Sequence, residues 1–561
     1  MIRKIGLINR TYPHIKRYRE IITVLVKHGF GDLITKTNLE KYIDFGKKLL
    51  PGKRNAHIVS LSRWERIRMV LEELGPTFIK FGQIMSNRPD LLPQELLVEL
   101  EKLQDSVPPF SEEDARQLIE EELGKPISNL FKEFISTPIA SASIAQVHKA
   151  VLMSGEEVVL KVQRPGIEEI IEVDLEIMFH LATLMEKHIQ GMDVLNPVGI
   201  IKEFERSIRK EIDFTIEATH IERFGRNFQE DTTIYVPKVY RNYTTRKILT
   251  MEFIDGIKVS NINAVLESGN DPKIIANRGA DLILKQIFEH GFFHADPHPG
   301  NILVLNNNII CFIDFGMMGF LLPKHREYLG NIIIGVVNRD TKRITKTLLQ
   351  FSRNNRIEDI EGLEYQIFEL VEQYSYLPLK DINMGELLNK IIKIILAYKL
   401  KIPPDIYLLS KALVTIEGVG RKLDPDFDMV KHVEPFAKKL LKERLSPRKL
   451  TKDIYLSATE FGLLFHDLPS EIREIIEQIK YGQVKIEHKG LEPMLKKHDQ
   501  ISNRIAFAIV LASLIIGSSL IVLSEIPPKW NGIPIIGIVG FLGAGIMGFW
   551  LLISILRHGK M

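Results

Sequence analysis

The stretch that decides the fold runs from residue 294 to residue 316. It opens with His294-Ala295-Asp296-Pro297-His298-Pro299-Gly300-Asn301, continues through two apolar runs predicted as strands, Ile302–Leu305 and Ile309–Ile313, and closes with Asp314-Phe315-Gly316. Asn301 follows Asp296 by five positions, and Asp314 directly follows the second predicted strand. The spacing predicts that three oxygen-bearing side chains, those of Asp296, Asn301 and Asp314, converge at one end of a hairpin.

The same spacing is typical of enzymes that transfer a phosphoryl group from Mg-ATP. In kinases the loop aspartate orients the acceptor hydroxyl, an asparagine five positions later binds one magnesium ion, and the aspartate of Asp-Phe-Gly binds the bridging ion. Asp296 is therefore predicted as a catalytic residue, with Asn301 and Asp314 as metal ligands. The alternative, three unrelated polar surface residues, leaves both the spacing and the intervening strands unexplained.

A single lysine interrupts the apolar run at residues 158–162. An unpaired ammonium group in a buried strand is costly, so Lys161 is expected to have an anionic partner. In a kinase the partners are the nucleotide phosphates and a helix glutamate, and Glu217 is the candidate for that glutamate. Lys161 and Glu217 complete the predicted catalytic set. The alternatives are an exposed edge-strand lysine and a solvated acidic helix.

Two further segments are predicted to contact the nucleotide. Glu252 and Ile254 lie where the predicted strand over residues 247–253 ends, a place where a hinge would offer backbone groups to adenine. Small residues occupy the position where a kinase has a glycine-rich loop, and because alanine lacks the freedom of glycine at positive φ, altered nucleotide affinity is expected. An ordinary small-residue turn is the alternative. This loop comprises Ala140, Ser141, Ala142, Ser143, Ile144, Ala145, Gln146, Val147 and His148.

The organisation of the whole chain agrees with these motifs. The 561 residues contain 74 Lys and Arg against 71 Asp and Glu, a balance too even to suggest nucleic acid, and the single cysteine, Cys311, excludes an internal disulfide. Helical patterns fill residues 20–124, with capping signals at Ser62 with Glu65 and at Ser111 with Asp114. Short β-rich runs follow to about residue 260, with strands predicted over 157–163, 234–240 and 247–253, around a helical stretch from 167 to about 228; helices dominate afterwards. This order predicts an α+β, protein-kinase-like bilobal fold.

One motif points to a particular family. Lys80-Phe81-Gly82-Gln83 resembles the Lys-x-Gly-Gln motif of the UbiB family of atypical kinases, which ordinary kinases lack, and the similarity extends from about residue 20 to the C-terminal apolar segments. The resemblance implies that the helix with Lys80, Gly82 and Gln83 folds over the active site as a regulatory element. It also implies that the Glu-x-Asp motif of the family corresponds to Glu211 and Asp213, with Glu211 meeting Lys80.

The resemblance further implies ATP and Mg as cofactors, and activity as a lipid-responsive ATPase or small-molecule kinase in isoprenoid quinone (ubiquinone-type) or related isoprenoid lipid biosynthesis. Expected partners are membrane lipids, an isoprenoid quinone precursor or related lipid, and a homodimer or biosynthetic complex, but no nucleic acid. Two alternatives stay open: a catalytically weak pseudokinase acting as a nucleotide-gated lipid-binding scaffold, and a protein serine/threonine kinase. Against the last, His298 replaces the lysine that such kinases place two residues after the catalytic aspartate, and no Ala-Pro-Glu motif follows Asp314.

The C-terminus has two uncharged runs, Ile505–Leu523 and Ile533–Leu556, each long enough to span a bilayer. Basic residues on both outer flanks predict a multi-pass protein of the cell (inner) membrane with a cytoplasmic catalytic domain. A buried hairpin in a soluble core is the alternative. Gly540, Ala544 and Gly548 are expected to pack against Ser513 and Gly517.

Five segments are predicted in all: an N-terminal helical extension (1–124), a kinase-like small lobe (125–260), a large lobe (261–430), a helical segment (431–504) and a transmembrane hairpin (505–556). Within the fourth segment, an amphipathic helix over residues 470–480 is expected to pack on the large lobe or on a partner.

Overall fold

The computed structural model describes residues 12–32, 61–103, 108–189, 196–352, 359–375, 383–444, 492–524 and 526–558, with a few single residues between 459 and 476. Internal contacts divide the chain into two units, residues 1–450 and 451–561. The finer division into five segments stays a prediction. The amphipathic segment 470–480 lies outside the described residues except for positions 472, 473 and 476.

Helices precede the first strand, and their ends follow the capping signals in the sequence. The Ser62 hydroxyl accepts a hydrogen bond from the Glu65 N–H and the Glu65 carboxylate accepts one from the Ser62 N–H, which confirms the predicted capping box. Ser111 caps a helix that ends at Gly124, where a φ of 67° favours glycine. The helices are α1 (Tyr12–Lys27), α2 (Arg63–Leu74), α3 (Pro76–Ser86), α4 (Gln94–Leu100), α5 (Glu112–Leu123) and α6 (Ile127–Leu130).

An antiparallel sheet follows, in the order β1-β3-β4-β6 with β2 paired to β3. Its strands are β1 (Phe131–Phe134), β2 (Ala140–Ser141), β3 (Ala145–Leu152), β4 (Glu157–Gln163) and β6 (Ile248–Glu252). Between β4 and β6 the chain forms α7 (Ile167–His188), α8 (Pro197–Glu211), α9 (Phe214–Asn227) and the short strand β5 (Ile234–Tyr235). The predicted strand over 234–240 is therefore shorter than expected, whereas β4 has the predicted bounds.

Four further strand pairings belong to the region of the deciding stretch. β10 (Ile309–Phe312) pairs with β9 (Ile302–Leu305) and with β5, β9 pairs with β7 (Ile257–Lys258), and β8 (Phe292–His294) pairs with β11 (Met318–Phe320). The predicted hairpin is thus confirmed. The helices here are α10 (Ile262–Glu267), α11 (Pro272–Leu284), which continues as a π-helix over Lys285–His290, α12 (Pro323–Val337), α13 (Thr341–Phe351), α14 (Ile360–Ser375), α15 (Met384–Ala397), α16 (Pro404–Leu423) and α17 (Met429–Arg444).

One large apolar core joins the N-terminal helices, the inner face of the first sheet and the helices after β11. Helix α9 lies at its centre, because Phe224 contacts both Phe312 and Phe315, with ring centroids 6.0 Å and 5.1 Å apart. All three rings are fully buried. The core therefore fixes α9 against the hairpin that precedes Asp314.

The described part of the second unit consists mainly of α18 (Glu492–Leu523) and α19 (Ile535–His558), with the short strands β12 (Lys529–Trp530) and β13 (Ile533–Pro534) between them. Two segments, Ile505–Leu523 and Ile535–Leu552, are long and apolar enough to cross a membrane. Most of their large apolar side chains are exposed, as expected of surfaces that face lipid.

Small residues bring α18 and α19 close together. A Cβ atom on Gly540 would collide with Ser518 Oγ, and Ala544 is buried. The prediction that Ser513 and Gly517 are the packing partners is wrong. Ser513 is exposed, and a Cβ atom on Gly517 would meet nothing within 4 Å. The phase of α18 turns Ser518 toward α19 instead.

Candidate active site

Three charged side chains from three elements meet next to the first sheet. Lys161 Nζ, from β4, lies 2.9 Å from Glu217 Oε2 of α9 and 3.8 Å from Asp314 Oδ1, which follows β10. The Lys161 ammonium also lies 5.4 Å from the centre of the Phe214 ring. The ammonium is therefore neither an edge-strand surface group nor unpaired.

Helix α9 holds the Asp-Phe-Gly backbone with two side chains one turn apart. Glu217 Oε1 accepts the Phe315 N–H at 3.3 Å, and His220 Nδ1 donates to the Phe315 carbonyl oxygen at 3.0 Å. The Gly316 N–H in turn donates to Asp314 Oδ1 at 2.9 Å. These bonds set the direction of the Asp314 side chain, since the backbone on both sides of Phe315 is fixed.

The three charges alter one another. Burial alone would lower the pKa of Lys161, but the Asp314 and Glu217 carboxylates reverse this and raise it. Burial would raise the pKa of Asp314, and the Lys161 ammonium together with the Gly316 N–H outweighs that effect and lowers it. The pKa of Glu217 is raised, chiefly by burial. Lys161 and Asp314 are therefore held in their charged forms at neutral pH.

The predicted catalytic loop, residues 295–301, folds back on itself between β8 and β9. The His298 N–H donates to the Asp296 carbonyl oxygen at 2.9 Å, the Asn301 N–H donates to the His298 carbonyl oxygen at 2.9 Å, and Asn301 Nδ2 lies 3.4 Å from the Asp296 carbonyl oxygen. The Ile313 N–H donates to the Asn301 carbonyl oxygen at 3.1 Å. Asn301 is therefore adjacent to both Asp296 and the residue before Asp314, as the spacing suggests.

This donor set suits a magnesium ion bound together with phosphates. Mg²⁺ prefers oxygen ligands and commonly takes one or two protein side chains beside substrate phosphates and water. Because the amide nitrogen of Asn301 points to the Asp296 carbonyl, its amide oxygen is the atom that can face a cation. Asn301 and the ionised Asp314 thus offer a neutral and an anionic oxygen.

The small-residue segment forms a tight hairpin rather than an open loop. Ala140 and Ser141 pair with Val147 and Gln146, and the Ala142 N–H donates to the Ala145 carbonyl oxygen at 2.7 Å. Within residues 140–148, all of which the structure describes, no φ is positive.

The predicted loop residues divide into two groups. The Ser143 hydroxyl is fully buried in the turn and has no hydrogen-bond partner among the described residues. Gln146 and His148 are also buried but contact each other at 2.9 Å, and Gln146 Oε1 accepts the Phe110 N–H at 3.2 Å. These two side chains join β3 to the N-terminal extension, so the turn itself is the part that can approach a phosphate.

The predicted hinge lies at the other end of the sheet from this turn. Lys161 is opposite Leu249 in the β4–β6 register, whereas Glu252 is opposite Val158. The Tyr235 hydroxyl donates to Glu252 Oε1 at 2.8 Å, so the Glu252 side chain braces β5. Ile254 follows β6 and is partly buried. Among the described residues, Glu252 has its hydrogen bonds with Tyr235 and Lys238 and none with the predicted catalytic loop.

Helix α3 places the Lys-x-Gly-Gln motif against its neighbours. Lys80 Nζ lies 2.7 Å from Glu211 Oε1 at the end of α8, and both side chains are partly buried. Gln83 Nε2 lies 3.3 Å from the Leu103 carbonyl oxygen. A Cβ atom on Gly82 would collide with Leu103 Cδ1, so glycine permits close packing here.

The Glu-x-Asp motif has two separate structural roles. Glu211 faces Lys80, whereas Asp213 caps α9 by accepting the Thr215 N–H at 3.1 Å and lies 3.3 Å from Arg246 Nε. Asp213 therefore starts the helix that positions Glu217, and Glu211 connects that region to the extension.

Two residues of the site were missed by the sequence analysis. His220 follows Glu217 by three positions, and this helical spacing was a usable signal. Lys411, on α16, lies 3.5 Å from Asp296 Oδ1, and no local pattern relates residues 115 positions apart.

The sheet with its Lys161–Glu217 pair, the catalytic loop and the adjoining Asp-Phe-Gly define a protein-kinase-like fold. The ABC1 atypical kinase-like domain matches residues 102–348, the UbiB helical domain matches 367–428, and the ABC1/UbiB kinase-like C-terminal domain matches 489–557. The chain belongs to the UbiB family of atypical kinases, and the resemblance seen in the sequence is confirmed.

Curated relatives cover most of the chain. An uncharacterized protein in the hydrogenase 1 5' region of Clostridium pasteurianum is 37% identical over 98% of this chain and 100% of its own. A probable protein kinase UbiB of Marinobacter nauticus is 36% identical over 79% of this chain and 82% of its own. Among solved structures, the complex of Rv3197 with erythromycin from Mycobacterium tuberculosis is 23% identical over 65% of this chain and 93% of that chain, with a TM-score of 0.45.

Proposed function

We propose that this protein is a membrane-anchored atypical kinase that binds Mg-ATP and hydrolyses it, or transfers its phosphate, in support of isoprenoid quinone or related isoprenoid lipid biosynthesis. The observation that supports this most is the position of Lys161 Nζ between Glu217 and Asp314, 2.9 Å and 3.8 Å away. In kinases a lysine, a helix glutamate and an aspartate arranged in this way bind the nucleotide phosphates and the metal ion. The predicted site residues stay proposals in these roles.

The chain's own residues would divide the work as follows. Lys161 neutralises phosphate charge and is kept in place by Glu217. Asp314 and Asn301 would hold Mg²⁺, which when bound offsets negative charge on the phosphate oxygens. Asp296 orients the attacking water or acceptor hydroxyl and takes up its proton. The turn at residues 142–144 and the backbone near Glu252 and Ile254 would contact the nucleotide.

The membrane part of the proposal is supported by α18 and α19. Both contain a segment able to cross a bilayer, and basic residues flank the pair on the outside. We place both ends of the hairpin, and the catalytic unit, on the cytoplasmic side of the cell membrane. The isoprenoid lipid is proposed from family membership and from relatives named as probable UbiB protein kinases.

Phosphate release tests the enzyme directly. The purified full-length chain in anionic vesicles is expected to release phosphate from Mg-ATP, and Asp314→Asn is expected to lower the rate by about a hundredfold or more. Asp426→Asn is a matched control, since Asp426 is exposed in the connection after α16. Equal background release from the wild type and Asp314→Asn would exclude the enzyme.

A second candidate is the nucleotide-gated lipid-binding scaffold, which the Lys80–Glu211 contact favours, because it holds the extension against the kinase-like fold. It predicts nucleotide binding by the wild type without turnover. A protein kinase instead predicts labelled protein acceptors and little free phosphate. Extraction of lipids that co-purify with the chain would identify the pathway if a polyprenylated ring precursor were found.

A further inference from the structure

The catalytic loop has no cation of its own beside Asp296. His298 occupies the position where serine/threonine protein kinases have a lysine for the γ-phosphate. His298 is exposed, and its ring is bonded within the loop, where the Gly300 N–H donates to His298 Nδ1 at 3.0 Å. Nδ1 of this ring is therefore engaged with the backbone of its own loop, and residues 295–301 contain neither lysine nor arginine.

A lysine from α16, Lys411, lies beside Asp296. Lys411 Nζ is 3.5 Å from Asp296 Oδ1, and Asp296 is the one carboxylate within 4 Å of it in the described part of the chain. The distance is longer than an ordinary N–H···O hydrogen bond, so the contact leaves donors that can turn to a second anion. Both side chains are about one-third exposed, at 37% and 31%, which leaves them accessible to a ligand from solvent.

Helix α16 fixes Lys411 relative to the site. Near its start, Asp405 Oδ1 accepts the Phe320 N–H at 3.0 Å, which ties the helix to the segment after Asp-Phe-Gly. Further along, Glu417 is buried and accepts the Gly385 N–H at 2.8 Å, which ties the same helix to α15. Lys411 lies between these two anchors, with Ala412 and Leu413 buried beside it. These two contacts therefore fix the helix on both sides of Lys411.

A plain surface ion pair is the competing explanation, and such pairs contribute only about 0–1 kcal/mol. The position of Lys411 beside the predicted catalytic aspartate favours a role in the reaction over a surface ion pair. Lys161 is the cation beside Glu217 and Asp314, at 2.9 Å and 3.8 Å, whereas Lys411 is the cation beside Asp296. A transferring phosphoryl group beside Asp296 requires a positive charge on that side as well.

We propose that Lys411 contacts the phosphoryl group that is transferred and replaces the lysine absent from the catalytic loop. This inference rests on the proposed function. In the hydrolytic reaction the bond between the terminal phosphorus and the bridging oxygen breaks, and its electron pair stays on ADP. A bond forms between phosphorus and the water oxygen, and the proton of the water passes to Asp296. The Lys411 ammonium offsets the charge on the oxygens of the phosphoryl group during this exchange.

The test compares Lys411→Met, Lys411→Gln and Lys411→Arg in the full-length chain. Methionine removes the charge at similar length, glutamine keeps a donor for Asp296 without the charge, and arginine keeps the charge. Lys422→Met is the matched control, because Lys422 is exposed in the last turn of the same helix. Two quantities are measured: turnover of Mg-ATP, and the dissociation constants of Mg-ADP and of the Mg complex of β,γ-imido-ATP.

Lys411→Met and Lys411→Gln are expected to lower kcat by about a hundredfold. They should raise the dissociation constant of β,γ-imido-ATP by about tenfold. The dissociation constant of ADP should stay within about twofold of the wild-type value, since ADP has no γ-phosphoryl group. Lys411→Arg should recover most of the loss. If Lys411→Met does not fold, the glutamine variant decides.

Unchanged turnover and unchanged analogue binding in Lys411→Gln would overturn the inference while leaving the proposed function intact, provided that Asp314→Asn is inactive. An equal loss of ADP and analogue binding would also overturn it, because Lys411 would then act on the whole fold. Background turnover in the wild type would instead refute the proposed enzyme, and the difference between the two nucleotides would still test the contact of Lys411.

Discussion

Lys80 Nζ lies 2.7 Å from Glu211 Oε1. This ion pair joins the N-terminal extension to the end of α8, the helix just before α9, which carries Glu217. The side chains are 12% and 24% exposed, and the contact is therefore only partly screened by water. Glu211 is also among the carboxylates that raise the pKa of Lys161, after Asp314 and Glu217. The pair thus connects the extension with the electrostatics of the nucleotide site.

Removal of either partner is expected to change turnover, because the remaining charge is left partly buried beside the site. Lys80→Ala and Glu211→Ala should each shift kcat in the same direction by about fivefold, equivalent to about 1 kcal/mol. The double variant should show little further change, since both substitutions break one contact. Turnover of Mg-ATP by the four proteins in anionic vesicles measures this.

Lys102→Ala provides the control, since Lys102 forms a more exposed pair with Glu99 in the same extension. Its kcat should stay within about twofold of the wild type. Effects of Lys80→Ala and Glu211→Ala that multiply in the double variant would show that the two residues act independently and that the ion pair is not what links them.

How far the sequence leads differs from one element to the next. β4 is predicted with its correct bounds, because an apolar run with one lysine leaves few other interpretations. β3 is missed, because Gln146 and His148 lie on its buried face and hide the alternation that marks a half-buried strand. Their polar groups are satisfied by each other and by Phe110.

The site shows the same division. The loop from Asp296 to Asn301 is local, and its hydrogen bonds follow from spacing along the chain. The contact of Lys80 with Glu211 was expected only from resemblance to the family, and that of Lys411 with Asp296 was not expected at all. Contacts between distant segments depend on how helices pack, and a single sequence has no periodic signal for that.

Gly82 is expected to be intolerant of alanine. A Cβ atom there would collide with Leu103 Cδ1 and lie 3.1 Å from Leu71 Cδ1 and 3.2 Å from Leu100 Cδ2. Overpacking of this kind costs about 1–3 kcal/mol, so Gly82→Ala should lower the thermal unfolding midpoint by several degrees. Differential scanning fluorimetry of the full-length protein in detergent measures the shift.

A second substitution separates crowding from other effects. Leu103→Ala in the Gly82→Ala background should restore part of the midpoint, because it removes the atoms that collide. Gly418→Ala is the control, since a Cβ on this glycine of α16 would meet nothing within 4 Å, and its midpoint should not fall. A Gly82→Ala midpoint equal to that of the wild type would contradict the tight packing of α3.

Four buried or partly buried histidines are expected to make the fold sensitive to mild acid. Burial lowers the pKa of His148, His220, His290 and His294. The unfolded chain, with histidine pKa values of about 6.5, therefore binds more protons than the folded chain as the pH falls below that value. The contribution of these histidines to the free energy of unfolding is fully present above about pH 6.5. It is lost as the pH falls through their lowered pKa values in the folded chain. The unfolding midpoint should fall by about 3 °C or more between pH 7.5 and pH 5.5.

His220 allows one of these contributions to be isolated. Glutamine can still donate to the Phe315 carbonyl oxygen but does not titrate, so His220→Gln should show a shallower dependence of the midpoint on pH. His498→Gln, at an exposed position, should keep the slope of the wild type. A midpoint that stays constant or rises toward pH 5.5 would refute the prediction for the buried histidines.

Cys311 provides a direct probe of the hairpin before Asp314. The thiol is fully buried in β10, and burial, with a contribution from Glu252, raises its pKa to about 12. Because the thiolate is the reactive form, alkylation of the native protein by a maleimide at pH 8 should be at least about a hundredfold slower than in guanidinium chloride. Cys311→Ser should abolish labelling, since the chain has one cysteine. Rapid labelling of the native chain would mean that β10 opens readily. Since β10 leads directly to Asp314, nucleotide that binds the site should slow the labelling further, and ADP with magnesium should slow it more than ADP alone.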